Sequence, residues 1–100
     1  MYAKGYGVLE NGKTAVKWYT KAAEQSYAEA QFILGFMYAR GTGVLTSDIK
    51  AYMWFNLAAN NEEKDAATAK DIMTKRMTNE QIAKAQELSQ QCLDSGYKDC

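Results

Sequence analysis

The chain has 100 residues, with 12 basic and 12 acidic side chains and no block of like charge, so nothing supplies the positive stripe that a nucleic-acid partner requires. No run approaches the about 20 apolar residues of a membrane span, and no signal peptide is recognisable. The sequence contains no histidine, the commonest general base and metal ligand, so we expect no enzyme, no metal site and no cofactor.

The first 23 residues recur 36 positions later. Residues 1–23 align without a gap with residues 37–59, and 11 of the 23 aligned positions are identical. A fixed period of this length is typical of a solenoid, in which each unit buries its apolar face against its neighbours. Function is then expected on a repeated surface and not in an enclosed pocket.

The first predicted helix follows the glycines of the first copy. Its apolar side chains are spaced as i, i+3, i+4 and i+7, at Ala15, Trp18, Tyr19 and Ala22. Because the pattern recurs in the second copy, we expect Trp18 and Tyr19 in the core or in the seam between repeats. Residues 1–4 correspond to the last turn of a preceding helix, so the first repeat looks incomplete. Either the chain is a fragment of a longer solenoid, or a partner or a second copy fills the exposed seam.

A second helix is predicted over residues 27–40. It is apolar nearly all round, which indicates burial between neighbours, and Ala30 and Gly35 are small enough for another backbone to approach closely. Gly41 can end this helix in the left-handed conformation of a C-cap, and Gly43 allows a sharp reversal of the chain.

A third helix completes an antiparallel αα-hairpin. It is expected to begin at Ser47 or Asp48, since a short side-chain oxygen can accept a hydrogen bond from the first turn. Its apolar positions repeat those of the first copy, at Ala51, Trp54, Phe55 and Ala58. Trp54 and Phe55 are likewise expected in the core or the seam.

The second copy resembles the Sel-one-like repeat, a relative of the tetratricopeptide repeat. The positions that carry the resemblance are Ala30, Leu34, Gly35, Tyr38, Gly41, Gly43, Val44, Ala51, Trp54, Ala58 and Ala59. A tetratricopeptide unit would have a period of about 34 residues and a proline near its end, whereas this chain repeats at 36 and contains no proline. The resemblance covers roughly residues 1–62, and it implies an all-α fold.

The third copy is degenerate and is interpreted as a C-terminal cap. A helix over about residues 63–76 keeps an apolar stripe of Ala66, Ala69, Ile72, Met73 and Met77, but its other face is polar, as the end of a soluble solenoid requires. Thr78 opens a last helix with Gln81 at capping-box spacing, and Gly96 suits the position just after its end. One face of this last helix carries Ile82, Ala85, Leu88, Ser89 and Cys92.

The predicted architecture is a right-handed α–α superhelix of antiparallel helix pairs with a C-terminal capping helix. It forms one domain over residues 1–100. The domain divides into a partial first repeat, a complete second repeat, and a degenerate third repeat with the cap, at residues 1–26, 27–62 and 63–100.

A candidate binding surface lies on the helix over residues 27–40. Phe32 and Phe36 lie four apart, off the Leu34 and Tyr38 stripe that should face the next helix. In related superhelices the first helix of each pair lines the concave surface. The resemblance therefore places there the partner-binding residues Glu29, Phe32, Phe36, Arg40, Thr68, Ile72, Lys75 and Arg76. The alternative is that both phenylalanines merely contact the next repeat.

The predicted function is a non-enzymatic scaffold or adaptor that docks a peptide or partner protein on the concave face. Phe32 and Phe36 would be apolar anchors, and Arg40, Lys75 and Arg76 would pair with carboxylates. The resemblance implies the same, since family members typically assemble complexes in signalling, secretion, envelope or protein-quality-control pathways. The alternatives are a small-molecule or cell-wall-fragment binder with weak hydrolase activity, and a structural spacer whose ends make the contacts.

Cys92 and Cys100 are the two cysteines of the chain. Gly96 can turn the chain after the last helix, so a disulfide is sterically reasonable if the Cα atoms come within about 7 Å. The alternative is two unrelated thiols, and a metal site is disfavoured because two thiolates fall short of the usual four ligands. A bridge would favour an oxidising compartment such as a bacterial periplasm or the secretory pathway over the cytoplasm.

Overall fold

Five α-helices follow one another in the part of the chain that the computed structural model describes. The structure describes the backbone of residues 8–98 and 100, and side chains from residue 12 onward, so the expectation about residues 1–4 lies outside it. The helices are α1 (Val8–Glu24), α2 (Ala28–Arg40), α3 (Asp48–Asn60), α4 (Lys64–Thr74) and α5 (Asn79–Asp94). The predicted all-α class is confirmed, while the handedness of the superhelix stays a prediction.

In the hairpin of α2 and α3, the helices end and begin at the predicted capping residues. α2 ends at Gly41, which has a φ of 75° and donates its N–H to the Met37 carbonyl oxygen at 2.8 Å. Gly43 also has a φ of 75°, a backbone conformation that is unfavourable for residues other than glycine. The Ser47 hydroxyl accepts from the Lys50 N–H at 3.1 Å and caps α3. Local side-chain chemistry therefore determines this reversal.

The ends of α5 also match the predicted signals. The Thr78 hydroxyl accepts from the Gln81 N–H at 3.1 Å, and the Gln81 side chain accepts from the Thr78 N–H at 2.9 Å, which completes the capping box. At the other end Gly96 has a φ of 68°, and the Tyr97 N–H donates to the Cys92 carbonyl at 2.7 Å. This pattern is a Schellman motif, which satisfies carbonyls that the last turn leaves free.

The most deeply buried helix is α3. It packs against α2, α4 and α5, and its buried side chains point to all sides: Ala51, Tyr52, Met53, Trp54, Phe55, Leu57 and Ala58. The helix predicted to be buried all round was α2, and that prediction is wrong. The main neighbours of α2 are α1 and α3, so its remaining side, which carries Phe32 and Phe36, is only partly covered.

Gly35 makes room for an aromatic ring, whereas the sequence had suggested the close approach of a second backbone. A Cβ atom built on Gly35 would lie 2.6 Å from Cδ1 and Cε1 of Phe55. Close packing between α2 and α3 at this level therefore depends on the missing side chain. The close approach of two backbones occurs elsewhere, between Gly43 and Gly12 of α1, where a Cβ on Gly12 would lie 3.2 Å from the Gly43 Cα.

The two tryptophans of the repeat have opposite environments. Trp54 is 3% exposed in a cluster that includes Leu34 of α2 and Cys92 of α5, as predicted. Trp18 is 65% exposed, so its assignment to the core or the seam is wrong. The physical reason is that, among the described residues, no helix stands before α1 to cover Trp18 in the way that α2 precedes α3.

The C-terminal tail returns along the hairpin and is fastened there. Cys92 and Cys100 form a disulfide, with their Cα atoms 4.7 Å apart. The Lys50 Nζ donates to the Cys100 carbonyl oxygen at 2.6 Å, which joins the tail to the first turn of α3. The tail therefore packs on the core and does not project from it.

A buried polar network connects four segments of the chain. The Gln31 side chain is fully buried, and its Nε2 donates to the Ala23 carbonyl at 3.0 Å. The Asn61 Nδ2 donates to the Gln31 Oε1 at 2.9 Å and to the Tyr97 hydroxyl at 3.0 Å. Both polar ends of the Gln31 side chain are thus satisfied, as burial requires. The network links α1, α2, the end of α3 and the tail.

Candidate functional site

A groove of about 610 Å³ lies between α2 and α4. α3 runs antiparallel to both helices, so α2 and α4 are parallel to each other. One face of α2 forms one wall of the groove, and one face of α4 forms the opposite wall. The lining residues are Phe32, Phe36, Ala39 and Arg40 from α2, Asp65, Thr68, Ala69, Ile72 and Met73 from α4, with Phe55 and Arg76.

Three phenylalanine rings form one wall and the floor of the groove. The centroids of Phe32 and Phe36 are 4.9 Å apart, and that of Phe55 lies 5.8 Å and 5.2 Å from them. Phe55 is 1% exposed and belongs to the core, whereas the other two are only partly covered. On the opposite wall the Ile72 side chain is 57% exposed. The groove therefore presents apolar surface to solvent above a buried aromatic base.

Two guanidinium groups stand at the end of the groove where α2 and α4 finish. The Arg40 Cζ lies 5.3 Å from the centroid of the Phe36 ring, within cation–π range. Arg76 donates to the Asp48 Oδ1 at 2.6 Å, and more weakly to the Ala39 carbonyl at 3.4 Å. The hydrogen bond with Asp48 and then the charge of Asp48 raise the pKa of Arg76, which stays protonated throughout the physiological range.

Six of the eight predicted partner-binding residues line this groove. They are Phe32, Phe36, Arg40, Thr68, Ile72 and Arg76. Glu29 lies instead beside a separate hollow of about 320 Å³, together with Tyr19 and Tyr27. Lys75 is exposed, next to the groove but not in its lining. The structure thus brings the six together and leaves Glu29 and Lys75 outside, while their binding role stays a prediction.

Sequence reasoning did not assign five of the lining residues to the groove: Ala39, Phe55, Asp65, Ala69 and Met73. Helical spacing could have found Asp65, which lies three residues before Thr68 and seven before Ile72. Phe55 was assigned to the core or to the seam between repeats, and the structure shows that the same ring also forms the groove floor.

The described part of the chain contains neither a cluster of metal ligands nor a helix suited to crossing a membrane. Among residues 8–98 and 100, no group of three or more His, Cys, Asp or Glu side chains is placed to hold a metal ion. Over the same residues, no helix combines the length and the apolar character that crossing a membrane would need.

The repeated hairpins, the capped end and the open groove define a helical-repeat protein. The family model of the Sel1 repeat matches residues 1–27 and again residues 28–62, consecutively. The chain therefore belongs to the Sel1 repeat family, which is the Sel-one-like repeat that the sequence resembles. Sel1 repeats are in general protein-interaction modules. No curated protein matches the chain.

Proposed function

We propose that the chain is a protein-interaction module that docks a peptide segment of another protein in the groove between α2 and α4. The observation that carries the proposal is the apolar surface of Phe32, Phe36 and Ile72, held open above the buried Phe55 ring. Aromatic anchors beside arginines are enriched where interfaces gain most of their binding energy. Membership of the Sel1 repeat family supports the same role.

The anchor rings already pack against one another before any partner arrives, which favours binding. Phe36 contacts both other rings nearly edge-on, at interplanar angles of 75° and 77°. A surface that is already ordered loses less conformational entropy on association than a flexible one. The groove thus suits a short peptide that brings only a few side chains.

No observation in the groove favours the hydrolase alternative. Among the lining residues that the structure describes, Asp65 is the one carboxylate, and glycoside hydrolysis ordinarily needs two facing carboxyl groups. The spacer alternative is tested together with the groove, because a spacer would bind its partners without using Ile72.

Binding should depend on the exposed side chain of Ile72. Twelve-residue peptides that bind the wild-type chain are selected from a displayed library of random sequences. Their Kd values are then measured by titration calorimetry. Ile72→Ala is expected to weaken binding about fivefold to thirtyfold, because the lost contact is worth about 1–2 kcal/mol. The fold should persist, since the side chain is 57% exposed.

Leu45→Ala is the matched control for this test. Leu45 is 90% exposed and lies outside the groove, so its substitution should leave every Kd unchanged. Equal effects of the two substitutions, or selected peptides that bind Ile72→Ala as well as wild type, would favour the spacer. A library that yields no binder contradicts the proposal.

We also propose that the protein works in an oxidising compartment, a bacterial periplasm or the secretory pathway. The Cys92–Cys100 disulfide supports this, because such bridges are rare in the reducing cytoplasm of most organisms. The cytoplasm is the alternative, and a chain isolated from its native cells with both thiols free would favour it.

A further inference from the structure

The groove carries opposite charges at its two ends. α2 and α4 both begin at one end, where the link before α4 and the first turn of α4 carry Glu62, Glu63 and Asp65 against Lys64. Both helices finish at the other end, where the charged residues are Arg40, Lys75 and Arg76 against Asp48 and Asp71. The parallel arrangement of the two helices therefore gives the groove an acidic end and a basic end.

The helix dipoles reduce this polarity without reversing it. A helix N-terminus is equivalent to roughly half a positive charge and a C-terminus to roughly half a negative one. Two N-termini thus offset about half of the excess carboxylate at the acidic end, whereas two C-termini are about equal to the one excess cation at the basic end. The positive charge that a ligand meets at the basic end is therefore local, on the Arg40 guanidinium that lines the groove.

One charged side chain at each end of the groove has no ionic partner in the structure. Arg76 is paired with Asp48, whereas Arg40 forms no ion pair with any side chain that the structure describes. Within the same described set, Asp65 forms none either. Both residues line the groove. A ligand can therefore pair with either one without displacing an existing ion pair.

The distance between the two ends suits a short extended peptide. Asp65 lies in the first turn of α4 and Arg76 lies just beyond its end, so the two ends of the groove are separated by about the length of this 11-residue helix, about 16 Å at a rise of about 1.5 Å per residue. An extended chain covers that distance in about five residues.

Resting on the proposed function, we infer that the groove takes an extended dipolar peptide, with a carboxylate beside Arg40, a cation beside Asp65 and apolar side chains between them. The charge order sets the direction in which the peptide lies. The apolar side chains contact Phe32, Phe36 and Ile72 and supply the affinity, while the two charges select the partner, as charged rims of interfaces generally do.

The test uses the random twelve-residue library selected in parallel on wild type, Arg40→Glu and Asp65→Lys. Wild type should enrich peptides in which an acidic and a basic residue, about five positions apart, flank apolar residues. Arg40→Glu should enrich basic residues at both positions, and Asp65→Lys acidic residues at both. Lys17→Glu, an exposed substitution on α1 away from the groove, is the matched control and should reproduce the wild-type pattern.

A charge-swap cycle measures how much the ion pair with Arg40 contributes to the affinity of the peptide. Reversing the peptide's acidic residue should weaken binding to wild type about twofold to fivefold, the usual effect of exposed ion pairs, and should strengthen binding to Arg40→Glu by a similar factor. The effect should shrink between 25 mM and 150 mM salt because surface charges are screened. The Kd for Arg40→Gln should not change when the charge of the peptide's acidic residue is reversed.

The outcomes separate the two proposals. Apolar peptides that depend on Ile72 but show no charge order would overturn the dipolar ligand and leave the groove as a binding site. A charge order that persists unchanged in both Arg40→Glu and Asp65→Lys would also overturn it. Binders that are insensitive to Ile72 would contradict the groove itself. Circular dichroism of each variant shows whether its helices are intact.

Discussion

The same residue type at the same repeat position has different consequences in this chain. Trp18 and Trp54 lie 36 residues apart, and they are 65% and 3% exposed. Trp54→Ala should cost about 3–5 kcal/mol of unfolding free energy, the usual range for removing a buried aromatic side chain. Trp18→Ala should cost less than about 1 kcal/mol, as surface substitutions do.

Chemical denaturation followed by far-ultraviolet circular dichroism measures both values. The two variants remove the same atoms from equivalent helix positions, so each is the control for the other. Equal losses would mean that Trp18 is buried in solution by something that the structure does not describe, and a loss under about 1 kcal/mol for Trp54→Ala would place its indole at the surface.

Residue-level prediction succeeded where one helix face decides the environment and failed where the neighbours decide it. The spacing of Phe32, Phe36 and Arg40 on one helix placed them on a common face, and all three line the groove. The exposure of Trp18 could not be predicted, because the repeat pattern gives the same signal whether or not a neighbouring helix is present to cover it.

Glycine contributes to the joints between helices in two distinguishable ways. Gly43 and Gly96 both have positive φ, at 75° and 68°, so alanine at either position adopts an unfavourable backbone conformation. A Cβ on Gly43 would in addition collide with the backbone of Gly12, whereas a Cβ on Gly96 meets nothing within 4 Å. The comparison separates backbone strain from packing between α1 and the hairpin loop.

Gly96→Ala should cost about 1–2 kcal/mol through strain alone. Gly43→Ala should cost a further 1–3 kcal/mol or so, because α1 must move away from the loop to accommodate the new methyl group. Thermal and urea unfolding of the two variants gives the difference. If both lose the same stability, the close approach of Gly12 and Gly43 is not maintained in solution.

Helix ends could be predicted well, whereas helix burial could not. Ser47, Thr78 and Gly96 act on atoms within a few residues, so local chemistry is sufficient to locate them. Burial depends on how many helices surround each one. α2 has the more uniformly apolar sequence pattern, yet α3 is buried on all sides because α5 returns to pack on it.

The disulfide and the tail affect the stability of the whole molecule. In the chain-entropy treatment, the short loop between Cys92 and Cys100 gives a stabilisation of about 2–3 kcal/mol. Cys100→Ser should therefore lower the free energy of unfolding by that amount. Lys50→Met leaves the bridge intact and removes only the hydrogen bond to the Cys100 carbonyl, so it should cost about 1 kcal/mol.

Intact-mass measurement after alkylation under denaturing conditions establishes the bridge itself. The oxidised protein should take up no alkyl group without reductant and two with it. Two groups added without reductant would contradict the bridge and, with it, the argument for an oxidising compartment. Equal stability of wild type with and without reductant would mean that the tail is held by its other contacts, including that of Tyr97 with Asn61.

The opposite environments of the two tryptophans give this protein two intrinsic optical probes. An indole in water emits at longer wavelength than one in an apolar core, so the folded chain should show a broad, composite emission band, with Trp18 contributing the red side and Trp54 the blue side. Unfolding should move only the Trp54 component. A molecule that covers α1 should instead shift the Trp18 component to the blue, so one spectrum distinguishes loss of the core from occupation of the exposed face of α1.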